Sequence, residues 1–538
     1  MQRYPIENIP PSRPESVAIV AGATDASVGA SAAALGLLCL GLVPVWALSL
    51  QTPFRLIDDY GAVFAVRRLG VGGFLRDNFS LAVNPARFRP THDLGQLVAW
   101  SLFSAHPPLH HLMRLLMKMA TFAALLAVAL RAVERAAGRR PNTGHHLALL
   151  ALAVSLFFYF PNNPEARLAP QELATVLYFM AALFFLGHRS RAVSLGLADV
   201  LCFVCFTLAL WAKEPNFITA TPLLAAIARE GARRPGAAAR RLAWVLAHLA
   251  LWLHAALKAA VMNGAGYARA PLSWVAVEAM LRELPRQLLL SASGGWVPLM
   301  FVTGVTLFAA WGLRQAPEGS LRAGLPLWML LASLAQWALM WGPMLRYAAP
   351  TAAFLILVTI AGFGLLLARA STERAMARRA LALAAVALLF AATNYRDLVA
   401  QFAVQYVAGR TEEAVLAAVD GWMSAEPLRA LHVATTSEYE YRLGVYFNEH
   451  RPFFTGRKAS VVVLRRPDQV PAGGYLIGRQ LLEGFEPLLR VDLAPPPRIV
   501  AAAASVTRAA RLGAALPPVL LDAGAEPPAS WFVSRRRD

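Results

Sequence analysis

Charged side chains are scarce in this chain. Only 15% of its 538 residues are Asp, Glu, Lys or Arg, whereas 57% are hydrophobic. A water-soluble globular protein carries about a quarter charged residues. The deficit argues against an ordinary soluble domain and predicts a chain whose main solvent is a lipid bilayer.

Cysteine is scarcer still, with three residues that all lie inside apolar runs. Cys202 and Cys205 have the spacing C-x-x-C, but no second pair of ligands accompanies them, which disfavours a metal or redox role. Cys39 is the third. Because no disulfide framework is available, any domain outside the membrane must fold around an apolar core of its own.

The phosphate-binding and hydrolase motifs of soluble enzymes are also missing. The sequence has no Walker A loop, no G-x-G-x-x-G run that leads into a helix and no G-x-S-x-G elbow. Nucleotide, dinucleotide and serine-hydrolase chemistry therefore have no motif support.

The sequence does contain a series of apolar runs near the length of about 20 residues that a spanning helix needs. We expect an all-α multi-pass bundle of about eleven transmembrane helices. The runs are Ser31–Leu50, His110–Val133, Leu147–Phe160, Leu173–Gly187, Val193–Ala212, Phe217–Ile227, Leu242–Met262, Trp296–Leu313, Leu325–Pro343, Thr351–Ala368 and Ala380–Ala392.

Basic residues predict the orientation of this bundle. The net charge is +19, and arginines gather in every second linker, a face that the positive-inside rule assigns to the cytoplasm. We expect residues 1–30 to be a flexible cytoplasmic tail and not a cleaved signal peptide. The bundle then occupies residues 31–394. Its predicted outer loops are 51–93, 162–172, 263–295 and 344–349.

The composition becomes more polar in the C-terminal part, residues 395–538, which we expect to form a small extracytoplasmic α/β domain. Short β-rich runs at 430–435, 459–464 and 474–478 predict strands, and residues 411–423 and 437–448 have helical periodicity. The Pro- and Ala-rich stretch from Pro517 onward predicts a less ordered tail.

The loop 51–93 carries the sharpest chemical signal, the adjacent carboxylates Asp58 and Asp59. A carboxylate just outside a helix end can serve as general base or bind Mg²⁺ or Mn²⁺. A solvated helix end explains the pair equally well. Glu165, in the next outer loop, is a second candidate acid, although the surrounding NNPEAR sequence also reads as a plain turn.

Basic residues on the same predicted face are candidates for binding a phosphate. They are Arg87 and Arg89 in NPARFRP, Lys213 in AKEP, and Arg346 with Tyr347 in MLRYAAP. Guanidinium groups bind phosphate oxygens in pairs. The alternative is that these side chains anchor the protein at lipid head groups. For His92, His106, His110 and His111 we favour interfacial packing over metal binding, because their spacing matches no structural zinc site.

With these residues located, the chain resembles the GT-C fold glycosyltransferases, multi-pass enzymes that use polyprenyl-phosphate sugars. Four short segments carry the resemblance: IDDY, NPARFRP leading to HPPLHHL, NNPEARLAPQE, and AKEP followed by LRYAAP. The resemblance implies that Asp58 or Asp59 is the catalytic base, that Glu165 assists, and that the anomeric centre is inverted. It also implies a location in the bacterial inner membrane.

The same resemblance implies a polyprenyl-phosphate-linked sugar as donor, a glycan, lipid or protein as acceptor, and no nucleic-acid partner. It requires no cofactor beyond an optional divalent cation. Two other classes fit the sequence. A transporter or lipid flippase would carry charges in the middle of its helices, and an assembly factor would not need Asp58 and Asp59.

Overall fold

The structure is a computed structural model, and its helices and strands follow the apolar runs of the sequence. It describes residues 36, 41–54, 70, 72–73, 76, 89–103, 106–137, 143–159, 171–188, 196–213, 216–233, 238–264, 296–314, 320–340, 349–368, 372–425, 431–434, 438–451, 461–492 and 530–537.

Within these residues a helical part comes first in the chain and a small mixed α/β part follows. The helices of the first part are α1 (Val43–Gln51), α2 (Pro90–Phe103), α3 (Pro107–Ala137), α4 (Thr143–Tyr159), α5 (Gln171–His188), α6 (Leu197–Leu210), α7 (Asn216–Arg233), α8 (Ala238–Gly264), α9 (Trp296–Arg314), α10 (Ser320–Met340), α11 (Ala349–Ala368) and α12 (Glu373–Ala425).

Three helical stretches in the described residues are long and apolar enough to cross a membrane, and they lie in α3, α8 and α11. Shorter apolar stretches lie in α4, α5, α6 and α9. A helical bundle with helices able to span a membrane is therefore confirmed, whereas the number eleven stays a prediction. Each predicted run from the second onward overlaps a helix of the structure, and α1 covers the end of the first run.

Helix α11 forms the centre of the bundle, because almost every one of its residues is buried. It packs most closely on α9, where a Cβ added to Gly304 would lie 2.8 Å from the Cα of Thr359. A Cβ on Gly362 would collide with the carbonyl oxygen of Gly304. Small residues let two helices approach in this way inside a membrane, where packing replaces the hydrophobic effect as the main source of association.

Helix α12 connects the bundle to the C-terminal part. Its 53 residues span about 80 Å at 1.5 Å per residue, far more than the bilayer core. Leu383 and Val399 pack in the core of the bundle, whereas Val415 and Val419 pack under the C-terminal sheet. The predicted domain boundary at 394/395 falls inside this helix, so one continuous helix runs through both parts.

The C-terminal part is a five-stranded mixed sheet with strand order β2-β1-β3-β5-β4. β1 is parallel to both β2 and β3, and β5 pairs antiparallel with β3 and β4. Helix α13 and the π-helical turn that continues it join β1 to β2. The bounds are β1 (Leu431–Ala434), α13 (Glu438–Val445), the π turn (Tyr446–His450), β2 (Val461–Leu464), β3 (Tyr475–Gly478), β4 (Phe485–Val491) and β5 (Trp531–Arg536).

Two strands were not predicted from the sequence. β4 contains Pro487 beside a β-bulge, which an edge strand tolerates because its outer N–H needs no partner. β5 lies within the stretch that was predicted to be less ordered from Pro517 onward, and for residues 531–536 that prediction is wrong. Trp531 and Val533 are buried in the core of the sheet, which explains why this end of the chain is held.

Candidate functional site

The short helix α2 docks onto the end of α6. The backbone N–H of Thr91 donates to the carbonyl oxygen of Trp211 at 3.1 Å, and its hydroxyl donates to that of Leu208 at 2.9 Å. Proline at the first position of α2 favours this start, because the first N–H groups of a helix have no partner within it. The contact joins the end of the predicted first loop, where α2 begins, to the turn after α6.

Arg89 and Lys213 lie on either side of this contact, each two residues away from it in sequence. The carbonyl oxygen of Arg89 accepts the N–H of Asp93 at 2.9 Å, which fixes the backbone at the start of α2. The side chain of Arg89 is half-buried, and that of Lys213 is buried, with 4% of its surface exposed. Two of the predicted phosphate-binding residues are therefore brought to the same end of the bundle.

A buried polar network extends from this point through Asn216. Its amide nitrogen donates to the hydroxyl of Thr175 at 3.0 Å and to the carbonyl oxygen of Ala209 at 2.7 Å. Its amide oxygen accepts from Gln336 at 3.2 Å, and Gln336 in turn accepts from the hydroxyl of Thr219 at 2.6 Å. These bonds satisfy both amides, so the network can be buried at low cost.

The network brings together helices that lead to three of the predicted site segments. Thr175 lies near the start of α5, which follows the loop of Glu165. Gln336 lies near the end of α10, which precedes the segment of Arg346 and Tyr347. Asn216 begins α7, three residues after Lys213. The start of α5, the start of α7, the end of α6 and the end of α10 thus meet at one end of the bundle.

A second cluster holds the chain that enters the first loop. A ring nitrogen of His111, Nε2, lies 3.0 Å from the carbonyl oxygen of Thr52, and both residues are buried. The ring of His110 packs against Phe54 and Phe103, with ring centroids 5.6 Å and 5.4 Å apart. These contacts tie the chain after α1 and the end of α2 to the start of α3. They confirm a packing role for His110 and His111.

Helix α2 has two contrasting faces. Leu94, Val98 and Leu102, spaced four residues apart, are exposed and form an apolar outer face. The opposite face is polar and buried at the start of the helix, where it carries His92, Asp93 and Gln96. An exposed apolar stripe on a helix that begins with buried polar groups is typical of a helix at the surface of a membrane.

Gln96 lies buried on this face. Only 8% of its surface is exposed, and no described residue donates a hydrogen bond to its side-chain oxygen. A buried polar atom without a partner costs about 1–3 kcal/mol. Such atoms in native proteins require an explanation such as a bound ligand or an ordered water.

The remaining predicted site residues, Asp58, Asp59, Arg87, Glu165, Arg346 and Tyr347, lie outside the described residues. Phe54 lies four residues before Asp58, Gln171 six after Glu165, and Met340 six before Arg346. Among the residues that the structure describes, there is no group of three or more His, Cys, Asp or Glu that could hold a metal ion. His106 is exposed, unlike the other three histidines predicted to pack.

Sequence reasoning did not single out Gln96, Asn216, Thr175 or Gln336. A signal for one of them was available, because Gln336 is an amide side chain inside the predicted apolar run Leu325–Pro343. Buried polar residues within a membrane helix usually have a partner or a function. Thr175 gives no such signal, since a threonine can bond to its own helix.

Comparison with known proteins shows similarity to solved structures but no match in sequence. No protein-family model matches the sequence, and no curated protein matches it either. The crystal structure of ArnT from Cupriavidus metallidurans bound to undecaprenyl phosphate is similar over 92% of this chain and 96% of that chain, with 13% identity and a TM-score of 0.41. At this identity and TM-score, no residue role and no ligand is transferred from that protein.

Proposed function

We propose that this chain is an integral membrane glycosyltransferase that moves a sugar from a polyprenyl-phosphate donor to an acceptor outside the cytoplasm. The observation that carries the proposal is the convergence at one end of the bundle. Thr91 of α2 contacts the turn that leads to Lys213, and Asn216 bonds to Thr175 and Gln336. The segments that carry the candidate carboxylates and the candidate phosphate-binding cations all begin or end near these contacts.

The charges of these segments suit the reaction. When the sugar leaves its carrier, negative charge develops on the polyprenyl phosphate, and cations beside it lower the barrier. Arg89 and Lys213 are the described candidates for this role, and Arg87, Arg346 and Tyr347 are further ones. Lys213 suits it because burial excludes water, which strengthens its attraction for an anion.

The proposed general base is Asp58 or Asp59. One of them would take the proton of the acceptor hydroxyl as the oxygen attacks the anomeric carbon from the face opposite the phosphate. That geometry inverts the anomeric centre, breaks the bond between the sugar and the phosphate oxygen, and releases polyprenyl phosphate. Glu165 would assist by orienting the acceptor or, with an aspartate, by holding a Mg²⁺ or Mn²⁺ ion.

The test is a transfer assay with the purified full-length protein in lipid nanodiscs. Radiolabelled polyprenyl-phosphate mannose, glucose and arabinose are offered with a cell-envelope extract as the source of acceptor, and the release of sugar from the lipid is measured. Because general-base catalysis contributes about 10²- to 10⁴-fold, the Asp58→Asn/Asp59→Asn double variant should lose at least about 100-fold in rate. The single variants identify which aspartate is the base.

Asp468→Asn is the matched control, since it removes one exposed carboxylate in the C-terminal part and should leave the rate unchanged. Full activity of the double variant would eliminate the proposed base. Movement of the intact lipid donor between leaflets without release of sugar would favour a flippase instead. Nuclear magnetic resonance of the product then reports whether the anomeric centre is inverted.

A further inference from the structure

The search for a further site leads to Gln96 on the buried face of α2. It lies one turn after His92 and Asp93, on the face that turns away from the exposed residues Leu94 and Val98. From Thr91 to Gln96 the helix rises by about 8 Å at 1.5 Å per residue. Gln96 is thus about one and a half turns from the contact that brings Arg89 and Lys213 together.

Two other polar side chains of α2, those of Thr91 and Ser101, form hydrogen bonds within the protein. The hydroxyl of Thr91 donates to Leu208, and that of Ser101 donates to Leu97 within its own helix at 2.8 Å. The amide oxygen of Gln96 is buried and accepts no hydrogen bond from any residue in the described ranges. Burying a carbonyl without a partner is unfavourable, and a hydrogen-bond donor on a bound ligand would remove this cost.

The chemistry of this oxygen limits what can bind to it. An amide oxygen only accepts hydrogen bonds, so its partner must carry an O–H or N–H group. A phosphate diester has no proton to donate at neutral pH and cannot be the partner of this oxygen, whereas a sugar hydroxyl can. Cations suit the phosphate and an acceptor atom suits the sugar. Arg89, the residue just before α2, and Gln96 of α2 are separated by about two helical turns.

From this arrangement we infer that Gln96 contacts the sugar of the lipid-linked donor and accepts a hydrogen bond from one of its hydroxyl groups. The inference rests on the proposed function and adds to it a residue that recognises the sugar. A site that hydrogen-bonds a hydroxyl discriminates strongly against analogues that lack it, because the protein atom is then buried without a partner. Gln96 would therefore contribute to the choice of donor sugar.

The experiment compares wild type with Gln96→Met, which keeps the length of the side chain and removes the acceptor. Each protein is assayed for kcat/KM with the best of the polyprenyl-phosphate mannose, glucose and arabinose donors, and with a series of its monodeoxy analogues. Gln96→Met should lower kcat/KM for the parent donor by about tenfold, as expected for one lost hydrogen bond of about 1.4 kcal/mol.

For one deoxy analogue, the kcat/KM of wild type should be about tenfold lower than for the parent donor. The kcat/KM of Gln96→Met should be the same for that analogue as for the parent donor. This failure of additivity identifies the hydroxyl that Gln96 contacts. Inhibition by polyprenyl phosphate without a sugar should be equal in the two proteins. Ser101→Ala, on the same helix and with its hydroxyl bonded inside that helix, is the matched control and should behave as wild type.

Equal kcat/KM of Gln96→Met and wild type with every donor would overturn the inference. So would an equal loss with all donors together with a lowered melting temperature, since that result indicates a purely structural residue. A thermal-shift measurement separates this inference from the proposed function. Stabilisation of the protein by the sugar donor beyond that by polyprenyl phosphate, lost in Gln96→Met, supports the contact even if no transfer is detected.

Discussion

At the scale of single residues, burial changes the pKa of a histidine in the C-terminal part. His450 has only 5% of its surface exposed and lies at the end of the π turn, next to Arg451. Arg451 is itself buried and pairs with Asp420 of α12 at 2.5 Å. Burial, and to a lesser extent the Arg442 guanidinium, lowers the pKa of His450 from 6.5 to about 4.

The pKa of His450 predicts that the C-terminal part loses stability in mild acid. Unfolded His450 binds a proton below pH 6.5, whereas the folded residue stays neutral until about pH 4. The unfolded state therefore binds more protons in this window, and the free energy of unfolding falls as the pH falls from 6.5 to 4. The loss amounts to at most about 3 kcal/mol.

Hydrogen exchange of the full-length protein measures this effect at the amides of β1 and β3, after correction for the intrinsic pH dependence of exchange. The His450→Gln variant is the control, because it removes the titrating group. Its opening free energy should change less with pH between 6.5 and 4 than that of wild type. An identical pH dependence in the two proteins would show that other groups cause it.

At the scale of secondary-structure elements, the amide network of Asn216 connects α5, α6, α7 and α10. Each bond crosses from one helix or turn to another, whereas the buried hydroxyl of Ser333 donates only to Leu330 of its own helix. Removing the amide of Asn216 leaves Thr175 and Gln336 without these bonds. Since the helices lead to candidate catalytic segments, the network should affect activity as well as stability.

We predict that Asn216→Ala lowers the free energy of unfolding by about 1–3 kcal/mol and lowers the transfer rate by at least about tenfold. Gln336→Ala should act in the same direction, and the double variant should lose less than the sum of the two losses. Ser333→Ala is the matched control on α10 and should retain the wild-type rate. Additive losses would indicate that the two amides act independently.

The elements also show what could be predicted from the sequence. The apolar runs predicted the bundle helices because long runs of Leu, Val and Ala determine a membrane helix without further context. Helix α2 was not predicted because polar residues such as His92, Asp93 and Gln96 interrupt its apolar residues, so that no long apolar run marks it in the sequence. Helix α12 extends past the predicted end at Ala392, because the polar residues that follow are still compatible with a helix.

The candidate site could be predicted only in part, for a physical reason. Charged residues next to membrane segments stand out in a sequence, which is how Arg89 and Lys213 became candidates. Neutral amides depend on a partner that lies far away in the chain, such as the 120 positions between Asn216 and Gln336. No local pattern encodes that pairing. The side-chain oxygen of Gln96, which has no partner among the described residues, likewise becomes visible only once its surroundings are known.

At the scale of the whole molecule, the proposed function requires that the predicted outer segments of Asp59, Lys213 and Arg346 meet at the same end of the bundle. The contacts of Thr91 and Asn216 bring the neighbouring elements together. If the loops also lie close together, the aspartate base and the phosphate-binding cations can act on the same lipid-linked donor. If the loops lie far apart, the base and the cations cannot act on one substrate.

The most direct measurement is the distance between residues 59 and 346 in lipid nanodiscs, determined by electron–electron double resonance. Nitroxide labels are attached to Asp59→Cys and Arg346→Cys in a background where Cys39, Cys202 and Cys205 are replaced by Ala. Labels at one end of the bundle should give a distance well below the about 30 Å of the bilayer core. A distance equal to or larger than that thickness would put the two residues on opposite sides and contradict the proposed transferase.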